Sequence, residues 1–351
     1  MKLFKCHHCK NLIYFENSIC LNCNHIVGFD AAKLEMVTLL ADQNLGYKNI
    51  QNNQESFKFC SNSQYQSCNW IIPSQSQIPF CQACNLNRTI PDLSIPSNLA
   101  SWQKIEIAKH RLIYSMLRLR LPINSKNTNS AINGLAFDFK GNTVTEQVMT
   151  AHDFGLITIN IDEANEADRV KHKLDMGERY RTLLGHFRHE IGHYYWDVLI
   201  KDSKRLNSYR NIFGDESFDY DESLKRYYAS TPSPDWSQKF ISLYSTSHPW
   251  EDWAESWAHY LHLMDTVETA YYFGIKINPK ETANETDLKS DIWADPYNLK
   301  DFNKIIEMWL PLTFAVNSLN RSMGHDDFYP FIISDPIIKK LKFIHETCVG
   351  L

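Results

Sequence analysis

The chain has 351 residues, 36 basic and 41 acidic side chains, a formal net charge of −5, and 43% hydrophobic residues. Such a composition excludes disordered and fibrous chains, and the length suggests two domains rather than one. The acidic balance argues against a nucleic-acid partner held by bulk charge, leaving only a local basic patch as a route to one. The longest apolar run, Trp309 to Val316, contains Pro311. It falls far short of the roughly 20 residues of a membrane helix, so no membrane partner is expected. The start, MKLFKCHHCK, lacks the apolar stretch of a secretory leader, and a cytoplasmic location is the expectation.

Eight of nine cysteines lie before residue 85. Cys6, Cys9, Cys20 and Cys23 read C-x2-C-x10-C-x2-C. Each C-x2-C turn brings two thiolates to one side of a tight knuckle, and two knuckles make the tetrahedral sulfur cage that zinc prefers. Iron in the same cage is the minor alternative. His7, His8 and His25 flank a set that is already complete, and read as bystanders. Cys60, Cys68, Cys81 and Cys84 read C-x7-C-x12-C-x2-C, with a single tight knuckle. They are a weaker candidate for a second structural zinc. The segment 51–69 between the sets is rich in Asn, Gln and Ser. It reads as loop that makes no core of its own and depends on metal cross-links for stability.

After Pro91 and Pro96, apolar residues at helical period predict a helix from about Asn98 to Arg120. Its bases Lys104, Lys109, Arg111, Arg118 and Arg120 read as a solvated face. Gly134–Phe139 and Gly155–Ile161 alternate as strands of an antiparallel or mixed sheet. Asp162 to Asp168 reads as a helical approach, and beyond residue 176 the pattern is mainly helical. Ser230–Ser237 is the clearest later loop. Trp250, Trp253, Trp257, Tyr260, Trp309, Phe328, Tyr329 and Phe331 read as core.

Residues 189–193 are His-Glu-Ile-Gly-His, an H-E-x-x-H motif. On a helix, positions i and i+4 lie about 40° apart and one turn up, so both imidazoles can hold one ion. Glu190 beside them is placed to accept a proton from water. The competing reading, a helix with two ordinary histidines, is weakened by the rest of the chain. A catalytic zinc needs a third protein ligand, and Glu251 and Glu255 share a helix face in HPWEDWAESWAHYLHL, 248–263. Glu251 reads as the ligand and Glu255 as the carboxylate that orients a ligand histidine. The swapped assignment stays open, and His259 is a weaker third candidate. Tyr244, seven residues before Glu251, is a candidate oxyanion donor, as is His248. His152 is either a cleft residue or structural, and His186 is structural or supports its neighbours.

These residues together resemble a bacterial family of zinc-binding metallopeptidases that join an N-terminal zinc ribbon to a zincin-like domain. The resemblance rests on the cysteine knuckles, on 180–197, on 248–262 and on LNRSMGHDDFYPF, 319–331. It implies a peptidase of the gluzincin type. The glutamate helix also resembles that of the anthrax lethal factor-like zincins, where a tyrosine seven residues upstream of the ligand glutamate assists catalysis. The expected fold is α+β: four-cysteine zinc-ribbon modules over 1–95, then a mainly helical zincin-like domain with a small sheet over 96–351. The expected cofactor is Zn2+, one catalytic ion and one or two structural ones. The expected partner is a peptide or protein substrate, with a protein partner for the ribbon region a further candidate. The interval between His193 and Glu251 is longer than in compact zincins, and 219–236 within it is a candidate lid or rim. The rival functional readings are a zinc-ribbon adaptor on a catalytically silent zincin domain and a nucleic-acid-binding ribbon.

Overall fold

The computed structural model describes residues 1–44, 46–127, 133–142, 148–165, 182–281 and 288–350. They form two compact units, Met1–Val170 and Lys171–Leu351. The sequence division at 95/96 therefore falls inside the first unit, which holds both cysteine sets, the first long helix and the expected sheet. Among the described residues no helix is long and apolar enough to cross a membrane.

The first unit begins with a short antiparallel hairpin, β1 (Phe4–Lys5) and β2 (Leu12–Ile13), with the Cys6–Cys9 knuckle in its turn. Five strands then close into a barrel: β3 (Ile26–Asp30), β4 (Glu35–Asp42), β5 (Gly46–Asn49), β6 (Ser56–Phe59) and β7 (Trp70–Pro73). Neighbours pair antiparallel except at the closure, where β3 runs parallel to β7. Val37, Leu39, Phe57 and Ile71 fill it. Closure requires close approach at Gly28, where a Cβ would stand 2.4 Å from Ile71 Cγ2. The expectation of a coreless loop over 51–69 is corrected here. That segment carries β6 and a 3-10 turn, Ser61–Tyr65. Its single buried aromatic, Phe57, packs with residues of β4 and β7, so its core is shared with strands distant in sequence and is invisible in a local window.

Helix α1 runs Pro96–Arg118, with proline in its first turn and Trp102, Ile105, Leu112, Ile113 and Met116 buried. Its bases are not all solvated: Lys109 is fully buried, 2.8 Å from Glu106 Oε1 and bonded to Asn87 Oδ1. A buried ammonium persists only when paired and hydrogen-bonded in this way. A mixed sheet has the order β10 (Ala151–Asp153), β11 (Leu156–Asn160), β9 (Ala136–Lys140), β8 (Asn87–Thr89). Strand β9 pairs parallel with both neighbours, and β10 closes an antiparallel hairpin on β11. A 3-10 turn covers Ile161–Ala164, and 166–168 lie outside the described residues.

The second unit is helical, with α2 (Leu183–Leu199), α3 (Leu206–Phe213), α4 (Tyr220–Ala229), α5 (Pro249–Phe273), α6 (Phe302–Ser322) and α7 (Asp335–Val349). A two-stranded ribbon, β12 (Lys276–Ile277) with β13 (Ser290–Asp291), is its small sheet. Helix α5 is the central element and packs on α2, α3, α6 and α7. Trp253, Trp257 and Tyr260 on it are fully buried, with Trp309 and Tyr329 nearly so. Phe328 departs from the expected core and is 40% exposed. Trp250 departs as well: half-buried, it lies over an imidazole of the site described next.

Candidate metal centres and active site

Cys6, Cys9, Cys20 and Cys23 converge so that their sulfurs lie within 4.8 Å of one another. Cys6–Cys23 and Cys9–Cys20 are each 3.6 Å apart, too far for disulfides of about 2.05 Å. Zinc–sulfur bonds of about 2.3 Å imply tetrahedral edges near 3.8 Å, so the donors fit that ion. Both knuckles turn through a left-handed residue, Lys10 (φ 65°) and Asn24 (φ 60°). The amides of those residues bond back to the carbonyls of Cys6 and Cys20 at 2.9 and 2.8 Å. Cys60, Cys68, Cys81 and Cys84 also converge, with Cys68–Cys81 at 3.8 Å. Their sulfurs accept amides: Cys81 N–H reaches Cys60 at 3.3 Å, and Trp70 N–H reaches Cys68 at 3.4 Å. His110 of α1 lies against this second set, a neighbour that cysteine spacing does not reveal. His8 and His25 stack on each other 3.9 Å apart beside Cys23.

The second unit gathers His189, His193 and Glu251. Both histidines come from α2, whose start is capped by the Thr182 hydroxyl accepting the Gly185 amide at 2.9 Å. Glu251 stands in the first turn of α5. That turn opens with Pro249 and is capped by His248, whose Nδ1 accepts the Trp250 amide at 3.1 Å. The other ring nitrogen of His248 donates to Phe218 O at 3.1 Å, so both are committed to backbone. That leaves His248 without a free donor for an oxyanion.

Helices α2 and α5 touch at Gly192, inside the H-E-x-x-H motif. A Cβ there would lie 3.0 Å from Ala254 Cα and 3.2 Å from Trp257 Cβ. Trp253 Nε1 donates to the Gly192 carbonyl at 2.8 Å and pins the contact. The close approach brings Glu251 Oε2 to 3.0 Å from His189 Nε2 and 3.5 Å from His193 Nε2, with the two nitrogens 3.2 Å apart. Metal bonds of about 2.0–2.2 Å imply tetrahedral edges of about 3.3 Å, the size of this triangle. Glu251 Oε2 is buried and accepts no aligned hydrogen bond among the described residues, which suits a lone pair aimed at a cation. The residues present therefore fit zinc.

Two of the three donors are held by hydrogen bonds from behind. Glu255 Oε1 lies 2.7 Å from His189 Nδ1, which places the proton there and leaves the Nε2 lone pair for the metal side. Burial opposes the Glu255 charge, but the bond to His189 prevails and holds its carboxyl at about 2. Tyr220 of α4 donates to Glu251 Oε1 at 2.7 Å, and the Trp250 ring lies 3.7 Å from that of His193. Neither Tyr220 nor Trp250 was singled out for the site by sequence. The only signal for Tyr220 was its place in the 219–236 insertion, which forms α4 and the loop after it.

Glu190 is half-buried beside His189. Burial lifts its carboxyl above the ordinary value against the pull of both histidines. Tyr244 sits in a 3-10 turn with its ring 6.1 Å from that of His189. Burial and the Glu251 charge raise its phenol far above the usual range, so it keeps its proton. His259 is not in the cluster: its Nδ1 meets Tyr329 Oη at 2.8 Å. His152 accepts the Gly155 amide at 2.8 Å, closing the β10–β11 turn. The half-buried His186 stands one turn before His189 on α2.

Comparison with known proteins adds the family. Residues 98–347 match the model described as "Putative zinc-binding metallo-peptidase", and residues 3–95 match a zinc-ribbon domain. Uncharacterized proteins of Mycobacterium tuberculosis and Mycobacterium bovis are 37% identical over 348 residues, spanning 99% of this chain and 95% of each relative. No solved structure gives a significant match. With most of its length matched, the chain belongs to the zinc-binding metallo-peptidase family and carries that family's domain behind an N-terminal zinc ribbon.

Proposed function

We propose that the protein is a zinc-dependent peptidase or amidase of the gluzincin type, with His189, His193 and Glu251 as ligands of an exchangeable catalytic ion. The reading is carried by one observation: a triangle of two imidazole nitrogens and one carboxylate oxygen with edges of 3.0, 3.2 and 3.5 Å. A zinc ion held there would supply Lewis acidity toward water and a carbonyl oxygen. Glu190 accepts the proton of the attacking water and hands it to the leaving amine. Tyr244 donates its phenol hydrogen to the oxygen on which charge develops. Glu255 holds His189 in the tautomer that leaves Nε2 free, and Tyr220 holds Glu251 by its second oxygen. The two cysteine sets hold structural ions, each enclosed by protein donors with no place for substrate.

Digestion of a peptide library by the purified chain, with Glu190→Gln as the blank, tests this. Wild-type protein is expected to cleave, to lose cleavage on mild chelation and to recover it with one equivalent of zinc. Glu190→Gln is expected to keep that zinc and lose nearly all cleavage. Undiminished cleavage by the variant removes Glu190 as the base, and absence of cleavage by the zinc-loaded wild type across the library removes the peptidase reading.

A further inference from the structure

The second cysteine set has a neighbour that a four-cysteine site does not require. His110, nearly fully buried on α1, points Nε2 at three sulfurs: Cys68 at 3.3 Å, Cys84 at 3.7 Å and Cys81 at 3.9 Å. Its other nitrogen, Nδ1, lies 2.6 Å from the Glu106 carbonyl one turn earlier. A carbonyl only accepts, so Nδ1 carries the proton, and in the neutral ring Nε2 is a bare lone pair. A lone pair facing three sulfurs is repulsive unless a metal ion or a proton lies between them. An Nδ1–H bonded to a carbonyl with Nε2 turned to a cluster of thiols is also how proteins orient a histidine that binds metal.

The distances agree. For zinc–sulfur bonds of about 2.3 Å and a zinc–nitrogen bond of about 2.0–2.1 Å, a tetrahedron has sulfur–nitrogen edges of about 3.6 Å. The three observed separations bracket that value, and the Cys68–Cys81 edge of 3.8 Å fits the all-sulfur part. The ring is fixed further by an edge-to-face contact with Trp70, centroids 5.0 Å apart. Glu106, whose Oε2 lies 3.5 Å from Cys84 Sγ, is balanced through its other oxygen by Lys109 at 2.8 Å.

We propose that His110 binds the second metal through Nε2, forming with Cys68, Cys81 and Cys84 a cage of three sulfurs and one nitrogen. Cys60 then stands beside the four-donor cage, its sulfur accepting the Cys81 amide, and is the thiolate that takes the fourth position when the imidazole is removed. The metal bond clamps α1 to the cysteine region, which accounts for a helix outside the ribbon match folding in one compact unit with it. The inference does not depend on the catalytic reading, because it concerns a different ion.

Cadmium NMR of the full chain, loaded with the spin-half isotope, decides the matter without any activity. Each ion gives its own resonance, and scalar coupling to a ring proton passes only through a metal–nitrogen bond. The expected result is one resonance coupled both to cysteine β protons and to the His110 imidazole, upfield of the all-sulfur resonance of the first site. In His110→Ala that resonance is expected to move downfield, toward the all-sulfur position. A second-site resonance coupled to cysteine β protons alone, with His110 carrying protons on both nitrogens, overturns the proposal and makes the ring a hydrogen-bond donor to thiolates. The wild-type spectrum alone separates the two results, so the test does not depend on the variant folding.

Discussion

The contact between α2 and α5 at Gly192 sets the size of the His189–His193–Glu251 triangle, and Gly192→Ala is the perturbation that isolates it. The added methyl would meet Ala254 Cα at 3.0 Å, Trp257 Cβ at 3.2 Å and Ala254 O at 3.3 Å. Carbon atoms pack best at about 3.5–4.0 Å, so the helices must part by roughly 0.5–1 Å. Two of the three obstacles are backbone atoms, which cannot swing aside. Overpacking of this kind costs about 1–3 kcal/mol, against about 1 kcal/mol gained from the better helix propensity of alanine. The net loss of stability is therefore modest, about 0–2 kcal/mol. The effect on the site is larger. Glu251 stands one turn before Ala254 on the same helix, so parting the helices draws its carboxylate away from both imidazoles. Edges of 3.0–3.5 Å that grow by half an ångström no longer fit bonds of about 2.0–2.2 Å. A shift approaching 1 Å is worth about 100-fold in rate in a preorganised site. Zinc affinity of the exchangeable site, measured by competition with a chelator, is expected to fall at least tenfold, while the melting temperature moves only a few degrees. A variant that melts higher and binds zinc as tightly as the wild type would show that the helices have slack here, and would refute the account.

Other outcomes follow from the same geometry. Glu255→Gln removes the charged acceptor at His189 Nδ1 and is expected to weaken zinc binding by about 10–100-fold, with little change in melting temperature; unchanged affinity would show that Glu255 does not orient the ring. Tyr220→Phe releases Glu251 Oε1, so in cobalt-substituted protein the visible bands should shift as the carboxylate gains freedom to bind through both oxygens; an unchanged spectrum would separate Tyr220 from the metal site. In the first unit, burial pushes the Asp138 carboxyl up, but hydrogen bonds from Arg88, Thr89 and Lys140 outweigh it and hold it at about 2. A carboxyl held below its unfolded value contributes stability above that value, near 3.8, and loses it as pH falls through about 4 to about 2. Arg88→Ala should therefore cost about 1–2 kcal/mol at neutral pH, a figure reduced because the Arg88 side chain is 47% exposed, and the cost should shrink toward pH 3. Denaturant titrations across that range check this, and a cost independent of pH would contradict it.

Features set by a few neighbouring residues were legible in the chain. The two C-x2-C turns of the first cysteine set close locally, through left-handed residues that follow each knuckle. The H-E-x-x-H spacing puts two imidazoles on one helix face whatever surrounds them, because the helical repeat is fixed. Helix α1 and strands β9 and β11 could be read from apolar period alone. The barrel was not legible, since its core joins Val37, Phe57 and Ile71 from three strands separated in sequence, two of them only four residues long. Tyr220 and His110 escaped for the same reason: each reaches its cluster from another element, at a separation that no local spacing encodes.

The sequence by itself therefore determined which donor types exist and which of them share a turn or a helix face, because backbone geometry over four or five residues is nearly independent of context. Only the tertiary structure decided which carboxylate faces the Nε2 atoms of both imidazoles and which lies behind one of them. Glu251 and Glu255 are four residues apart on one helix face, and their difference arises from where α5 crosses α2. The crossing point is set by the missing side chain at Gly192 and the Trp253 bond to its carbonyl. Helix packing is a contest among many side chains distant in sequence, and its outcome exists only once the chain has folded.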